Sequence, residues 1–277
     1  MNSPKPTSSE STTSMENPET TEAQETATNV CQGCSKVFTY EPIFIGKVDL
    51  ARALATHCEE CKDAEAAGEA QAARERSLIE RRETVRKTLP PALLPKHLNP
   101  LGTDTGHPQF NLPMWKLVKQ WRPGPQGNWI SLIGPAGRCK TRCLALLAEK
   151  IIMQGNRLVW TSAMRLYTEA TLNLRSRERN VQMSAREHLA ECLNTPWLVI
   201  DDLGNNQWSQ DFESQLFTIL DHRKNNCLPI AYSSNAQPEE FYPCITSVNP
   251  AALIGRLIDR TTQFDFTPDP QIALPIQ

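Results

Sequence analysis

The feature that most narrows the fold is an apolar run, Trp129-Ile130-Ser131-Leu132-Ile133, broken at once by Gly134-Pro135-Ala136-Gly137-Arg138-Cys139-Lys140-Thr141. An amphipathic stretch follows over 142–154, with Leu144, Leu147, Ala148, Ile151 and Ile152 at helical spacing until Gly155 stops it. Strand, glycine-bearing loop and helix together form a setting in which backbone N–H groups and a helix N-terminus bind phosphate. Gly134, Lys140 and Thr141 match G-x-x-x-x-G-K-[ST]. Residues Gly134 to Arg142, every one of them, are therefore expected to line an ATP site. Lys140 is expected at the β and γ phosphates, and the Thr141 hydroxyl on Mg²⁺. Cys139 departs from the pattern, because it stands where the glycine before the lysine belongs. A side chain there narrows the room for phosphate or strains the loop.

Around this loop, short apolar runs alternate with helical patterns over residues 100–277. Leu158-Val159-Trp160, Trp197-Leu198-Val199-Ile200, Leu228-Pro229-Ile230-Ala231-Tyr232 and Phe264-Asp265-Phe266 read as strands. Helices are expected through Cys192 from a Ser184/Glu187 capping box, over 211–223 and over 251–260. Wholly apolar strands separated by helices predict an α/β domain, a parallel sheet covered on both faces.

Asp201 and Asp202 close the Trp197 run, 61 residues after Lys140. Ligand sites in parallel sheets collect at strand C-termini. Asp201 is expected to hold Mg²⁺ with Thr141, and Asp202 to orient or deprotonate the attacking water. Asn235, ending Tyr232-Ser233-Ser234-Asn235, reads either as a sensor of the γ-phosphate or as a turn residue before Pro238. Arg256 and Arg260 lie four apart and share a face of the predicted helix. Either Asp259 offsets one of them within the chain, or one reaches the γ-phosphate held by a neighbouring copy.

Taken in order, GPAGRCKT at 134–141, LVIDDLG at 198–204, AYSSN at 231–235 and IGRLIDR at 254–260 resemble one branch of the AAA+ ATPases. These are the helicase loaders and transposition helpers, the DnaC, DnaI and IstB-like proteins. The resemblance implies a P-loop AAA+ core and a ring or spiral homo-oligomer with composite ATP sites between copies. It also implies single-stranded DNA held inside. Arg260 matches the arginine-finger position best, with Arg256 as the alternative. In the loaders, helices inserted where this chain carries Arg165, Arg175, Arg177 and Arg179 touch single-stranded DNA, whose phosphates would account for the arginines. A solvated helix pair accounts for them equally.

Ahead of this core, Cys31-x₂-Cys34 and Cys58-x₂-Cys61 stand 23 residues apart. Two such knuckles place four thiolates around Zn²⁺ in a small zinc-ribbon-like module. The role is structural, since four protein ligands leave no open position. His57 either substitutes for one ligand or, as expected here, points away. Cys139, Cys143, Cys192, Cys227 and Cys244 show no ligand spacing and read as small hydrophobes. Residues 1–29 form an acidic Ser/Thr-rich tail, too poor in apolar residues to fold. The expected boundaries are 1–29 tail, 30–62 zinc module, 63–99 charged helix and Pro-rich linker, and 100–277 ATPase domain. The charged helix reads as solvated or as a basic arm touching a partner.

Net charge of −2, from 29 basic and 31 acidic residues, excludes a uniformly basic nucleic-acid coat but not a local patch. No apolar run reaches the ~18 residues of a membrane span, and the N-terminus is no secretory signal. Nine cysteines in that setting argue against a disulfide scaffold and for a cytoplasmic chain. Three functions stay open. The first is an ATP-dependent loader of a replicative helicase onto single-stranded DNA, which the zinc module favours because it resembles the helicase-binding end of some loaders. The second is a transposition helper working with a transposase. The third is a non-hydrolysing DNA-binding adaptor, which Cys139 favours.

Overall fold

The computed structural model describes residues 26–99, 102, 106, 110–124, 127–204, 208–246 and 250–267. The expected tail lies outside them up to residue 25, while residues 27–29 already belong to a strand. The chain divides into two compact units, Met1–Arg74 and Glu75–Gln277.

In the first unit, β1 (Ala27–Val30) and β2 (Val37–Tyr40) form an antiparallel hairpin. A second small hairpin, β3 (Phe44–Ile45) and β4 (Val48–Asp49), leads into α1 (Leu50–Leu54), which Asp49 caps by accepting from the Arg52 N–H. Next comes α2 (Glu59–Thr88), the longest helix, whose N-terminal half belongs here. The buried residues among those described in this unit are Cys31, Ala51, Ala55 and Cys58. Two alanines and two thiols are not a hydrophobic core, so the unit depends on a staple.

The second unit is built on five strands: β5 (Trp129–Ile133), β6 (Leu158–Ser162), β7 (Trp197–Leu203), β8 (Ile230–Ser234) and β9 (Thr261–Asp265). They run parallel in the order β6-β7-β8-β5-β9. The helices are α3 (Leu112–Gln120), α4 (Lys140–Met153), α5 (Ala163–Thr171), α6 (Arg179–Asn194), α7 (Gln210–Asn225) and α8 (Pro250–Ile258). Successive strand residues enter opposite layers, the period-two geometry of a pleated sheet. Ile130, Leu132, Val199 and Ala231 pack with Val85 of α2 and with α3 and α4. Trp129, Ile133, Leu198, Ile200, Ile230 and Tyr232 pack with α5 to α8. Both faces are buried, which is why the strands read as unbroken apolar runs rather than as alternation. This is a P-loop AAA+ core.

Three local expectations are corrected. Helix α6 begins at Arg179, so Ser184 lies inside it and caps nothing. Its first turn is tied down instead by the Gln182 amide donating to the Leu174 carbonyl at 2.9 Å. Strand β8 begins at Ile230, because Pro229 has no N–H to give a ladder. Helix α8 ends at Ile258, and Arg260 turns into the left-handed region at φ +62°, so Arg256 and Arg260 share no helix face. The turn lets Trp129 N–H bond the Arg260 carbonyl at 3.0 Å and sets β9 beside β5.

Arg223 of α7 has no solvent exposure. Its Nη1 donates to the carbonyls of Cys192 (2.9 Å), Leu193 (3.3 Å) and Thr195 (2.8 Å), and its Nη2 to those of Pro196 (3.0 Å) and Pro229 (2.7 Å). A helix leaves its last carbonyls without partners at the negative end of its dipole. Arg223 satisfies that end of α6 and joins it to the entries of β7 and β8. Burial lowers its pKa to about 10, so the guanidinium stays charged at neutral pH.

Candidate nucleotide site

Three strand ends meet at the C-terminal edge of the sheet. β5 feeds the loop from Gly134, β7 ends in Asp201 and Asp202, and β8 ends in Ser233 and Ser234 just before Asn235. Because β8 lies between β5 and β7, Asn235 falls between Lys140 and the carboxylates. Lys140 Nζ donates to Asn235 Oδ1 at 2.8 Å and to the carbonyls of Gly134 (2.6 Å) and Pro135 (2.8 Å). Asn235 Nδ2 in turn donates to Asp202 Oδ1 at 3.4 Å. The Thr141 hydroxyl donates to Asp201 Oδ1 at 2.9 Å, and the Ser233 hydroxyl to the same oxygen at 2.6 Å. Ser233 Oγ also accepts the Asp202 N–H at 2.9 Å.

Electrostatics follow from burial. Desolvation lowers the Lys140 pKa, opposed by the charges of Asp202 and Asp201. Desolvation raises that of Asp201, opposed by the hydrogen bonds from Ser233 and Thr141. A cation and a carboxylate, each partly stripped of water, gain from a phosphate and a divalent cation placed between them. The cavity here holds about 450 Å³ and is lined by residues 136–142, Asp201, Asp202, Ser233, Asn235 and Leu93. Among the expected residues, Gly134 and Pro135 are not on its wall and contribute through their carbonyls to Lys140. Ser233 and Leu93 were not expected. The hydroxyl pair at the end of β8 was the available signal for Ser233, while Leu93 gave none.

Backbone strain explains the loop's residue types. Gly134 sits at φ +139°, and a Cβ there would come within 2.8 Å of the Phe266 backbone. Cys139 is the N-cap of α4 at φ +60°, the left-handed conformation that a glycine adopts freely. The cysteine therefore strains the loop as the sequence suggested. A non-glycine residue there costs roughly 1–2 kcal/mol. Cys139→Gly should therefore be more stable than Cys139→Ala by about 1 kcal/mol in thermal unfolding, although both lose the thiol. Equal melting temperatures would show that the strain is absent.

The profile of the IstB-like ATP binding proteins matches residues 125–263, half of the chain. The chain belongs to the IstB-like ATP binding protein family. No curated protein sequence matches it. Among solved structures, the IstB-like chain is similar to DnaI at 22% identity, covering 56% of this chain and 79% of that one, TM-score 0.45. It is also similar to the DnaC helicase loader at 18% identity, covering 56% and 86%, TM-score 0.43. The replication initiator DnaA bound to AMPPCP and single-stranded DNA shows 15% identity, covering 56% and 44%, TM-score 0.45.

In the IstB-like chain the arginines part company. Arg256 donates through Nε (2.8 Å) and Nη2 (2.7 Å) to Asp221, and lies 4.2 Å over the Phe217 ring. Asp259 pairs with Lys224, and the charge of Arg260 also acts on its carboxylate. Arg260 is exposed and precedes β9, at the N-terminal edge of the sheet. Its own phosphate loop leaves the opposite edge. Of the four arginines expected at DNA, Arg165 lies 3.6 Å from Glu169 and Arg175 pairs with Asp211. Arg177 is exposed between the short Asn173–Arg175 turn and α6, and Arg179 is exposed at the first position of α6.

The cysteine knuckles do converge. The sulfurs of Cys31, Cys34, Cys58 and Cys61 all lie within 4.8 Å of one another, with Cys34 and Cys58 at 3.6 Å. A tetrahedron of Zn–S bonds of about 2.3 Å has S–S edges of roughly 3.8 Å, so the donor set fits zinc. His57 stays outside the set, with its Nδ1 at 3.0 Å from the Thr56 hydroxyl. Elemental analysis should find one zinc per chain. Cys58→Ser should lose it and melt the first unit, seen as fast amide exchange in β1 and β2 while the sheet of the second unit stays protected. Retained protection in β1 and β2 without metal would refute the staple. Among the described residues, no helix is long and apolar enough to cross a membrane.

Proposed function

We propose that this protein is a cytoplasmic, ATP-dependent helicase loader that binds single-stranded DNA. The observation that carries the reading is the closed set of Lys140, Thr141, Asp201, Asp202, Ser233 and Asn235 on three adjacent strand ends. In this reading Lys140 binds the β and γ phosphates, and Thr141 and Asp201 hold Mg²⁺, which neutralises charge developing on the phosphates. Asp202 aligns water, and Asn235 reads the γ-phosphate. Arg260 acts on a neighbouring copy's nucleotide, within a homo-oligomer. Arg177 and Arg179 meet DNA phosphates. The zinc module docks the replicative helicase, supported by its exposed Val37, Ile43, Phe44, Ile45, Val48 and Leu54. In this reading the zinc module spans 30–62, the charged helix and linker 63–99, and the ATPase domain 100–277.

The test is ATP binding and hydrolysis by the full chain, with and without single-stranded DNA, beside Lys140→Ala. DNA-stimulated turnover that vanishes in the variant supports the loader. Binding without turnover, restored by Cys139→Gly, supports the adaptor instead. A second reading, the transposition helper, is favoured by the family itself. Retention of a transposase rather than a replicative helicase by the zinc-loaded chain would select it.

A further inference from the structure

The sheet has an open edge with a cleft beside it. Strand β6 pairs with β7 on one side, and with no strand on the other among the described residues. The Arg157 carbonyl accepts from Trp197 N–H at 3.2 Å, so Arg157 faces β7. Backbone groups of a parallel strand alternate sides, which turns N–H and C=O of Leu158 and Trp160 toward the open edge. A cleft of about 330 Å³ runs along these residues and is lined also by Lys87, Arg165, His188 and Glu191.

The chemistry of the cleft selects its occupant. Three cations, Lys87, Arg157 and Arg165, face one carboxylate, Glu191, in a chain of net charge −2. Lys87 is 3.8 Å from Glu83 and Arg165 is 3.6 Å from Glu169. The Lys87 pair is exposed and contributes little, which leaves that cation available, and Arg165 keeps half of its side chain exposed above the buried Glu169. His188 is 5% exposed, and its Nδ1 has no hydrogen bond. The open edge presents donors and acceptors in alternation. A nucleic-acid backbone supplies acceptors and leaves the edge carbonyls unmet. An extended peptide supplies both.

We propose that the edge of β6 binds an extended acidic peptide segment of a partner by strand addition. Its main chain pairs with Leu158 and Trp160, and its carboxylates meet Lys87, Arg157 and Arg165. This surface is separate from the nucleotide site and does not depend on ATP turnover.

The test uses the full chain and a fluorescein-labelled ten-residue peptide alternating Glu with Val, read by anisotropy. Binding is expected, weakened about tenfold or more by Arg157→Glu and largely restored by Arg157→Lys. Amide exchange at Leu158 and Trp160 should slow on binding, with Val159 unchanged. Two further peptides, N-methylated at odd or at even positions, separate pairing from plain charge attraction. One of them should lose binding and the other keep it. Equal binding by both, absence of binding by the parent peptide, or Arg157-dependent binding of a ten-nucleotide oligothymidine in its place would overturn the proposal.

Discussion

Arg260→Ala is expected to lower ATP turnover about a thousandfold or more while leaving ATP affinity nearly unchanged. An arginine supplied to a neighbour's γ-phosphate contributes on this scale. Arg260 precedes Thr261, which is in register with Trp129 at the start of β5. Gly134 leaves the far end of that strand after five residues, a span of roughly 16 Å. Arg260 therefore cannot serve its own pocket, and any action on nucleotide requires a second copy. Mixing Arg260→Ala with Lys140→Ala tests this directly. Some junctions would then join an intact phosphate loop to an intact arginine, and turnover should partly return. A mixture no more active than its two components would remove Arg260 from the mechanism. Arg256→Ala should behave differently, because its ties to Asp221 and Phe217 make it a packing residue. Its loss should lower the melting temperature more than the rate per folded protein.

Arg223→Leu is expected to destabilise the second unit by about 4 kcal/mol, lowering its melting temperature by roughly 10 °C. Leucine fills much of the volume but leaves the carbonyls of Cys192, Leu193, Thr195, Pro196 and Pro229 without their donor in a dry interior. Arg223→Lys should recover only part of the loss, since one ammonium cannot span five carbonyls arranged around a planar fork. Thermal and urea unfolding would measure both. A leucine variant within about 1 kcal/mol of the native chain would mean that water replaces the guanidinium.

Much of the nucleotide site was legible because its chemistry is local. The phosphate loop needs a glycine where φ is positive, a lysine and a hydroxyl at set spacing, and a strand and helix around them. All of these lie in one continuous stretch of the chain, from Trp129 to Met153. The acidic pair after Ile200 was legible for the same reason. Cys31, Cys34, Cys58 and Cys61 could be read as one zinc site because thiol pairs at that spacing have few other uses.

Helix ends were less legible, since capping competes with tertiary bonds. Ser184 carried a capping pattern, yet the Gln182 tie to Leu174 extends α6 past it. Arg256 and Arg260 were expected on one helix face, but the pairing of β9 with β5 sets a left-handed turn between helix and strand.

By itself, the sequence determined the alternation of buried strands and helices, the phosphate loop, the carboxylates near the end of β7 and the four-thiolate set, because each depends on neighbours in the chain. Only the tertiary structure decided that β8 lies between β5 and β7, bringing Ser233 to Asp201 and Asn235 to Lys140. It alone placed Arg260 at the far edge from its own pocket and closed Arg223 into a cage of carbonyls. Strand order and the partners of a buried charge are long-range outcomes of packing, which no local pattern records.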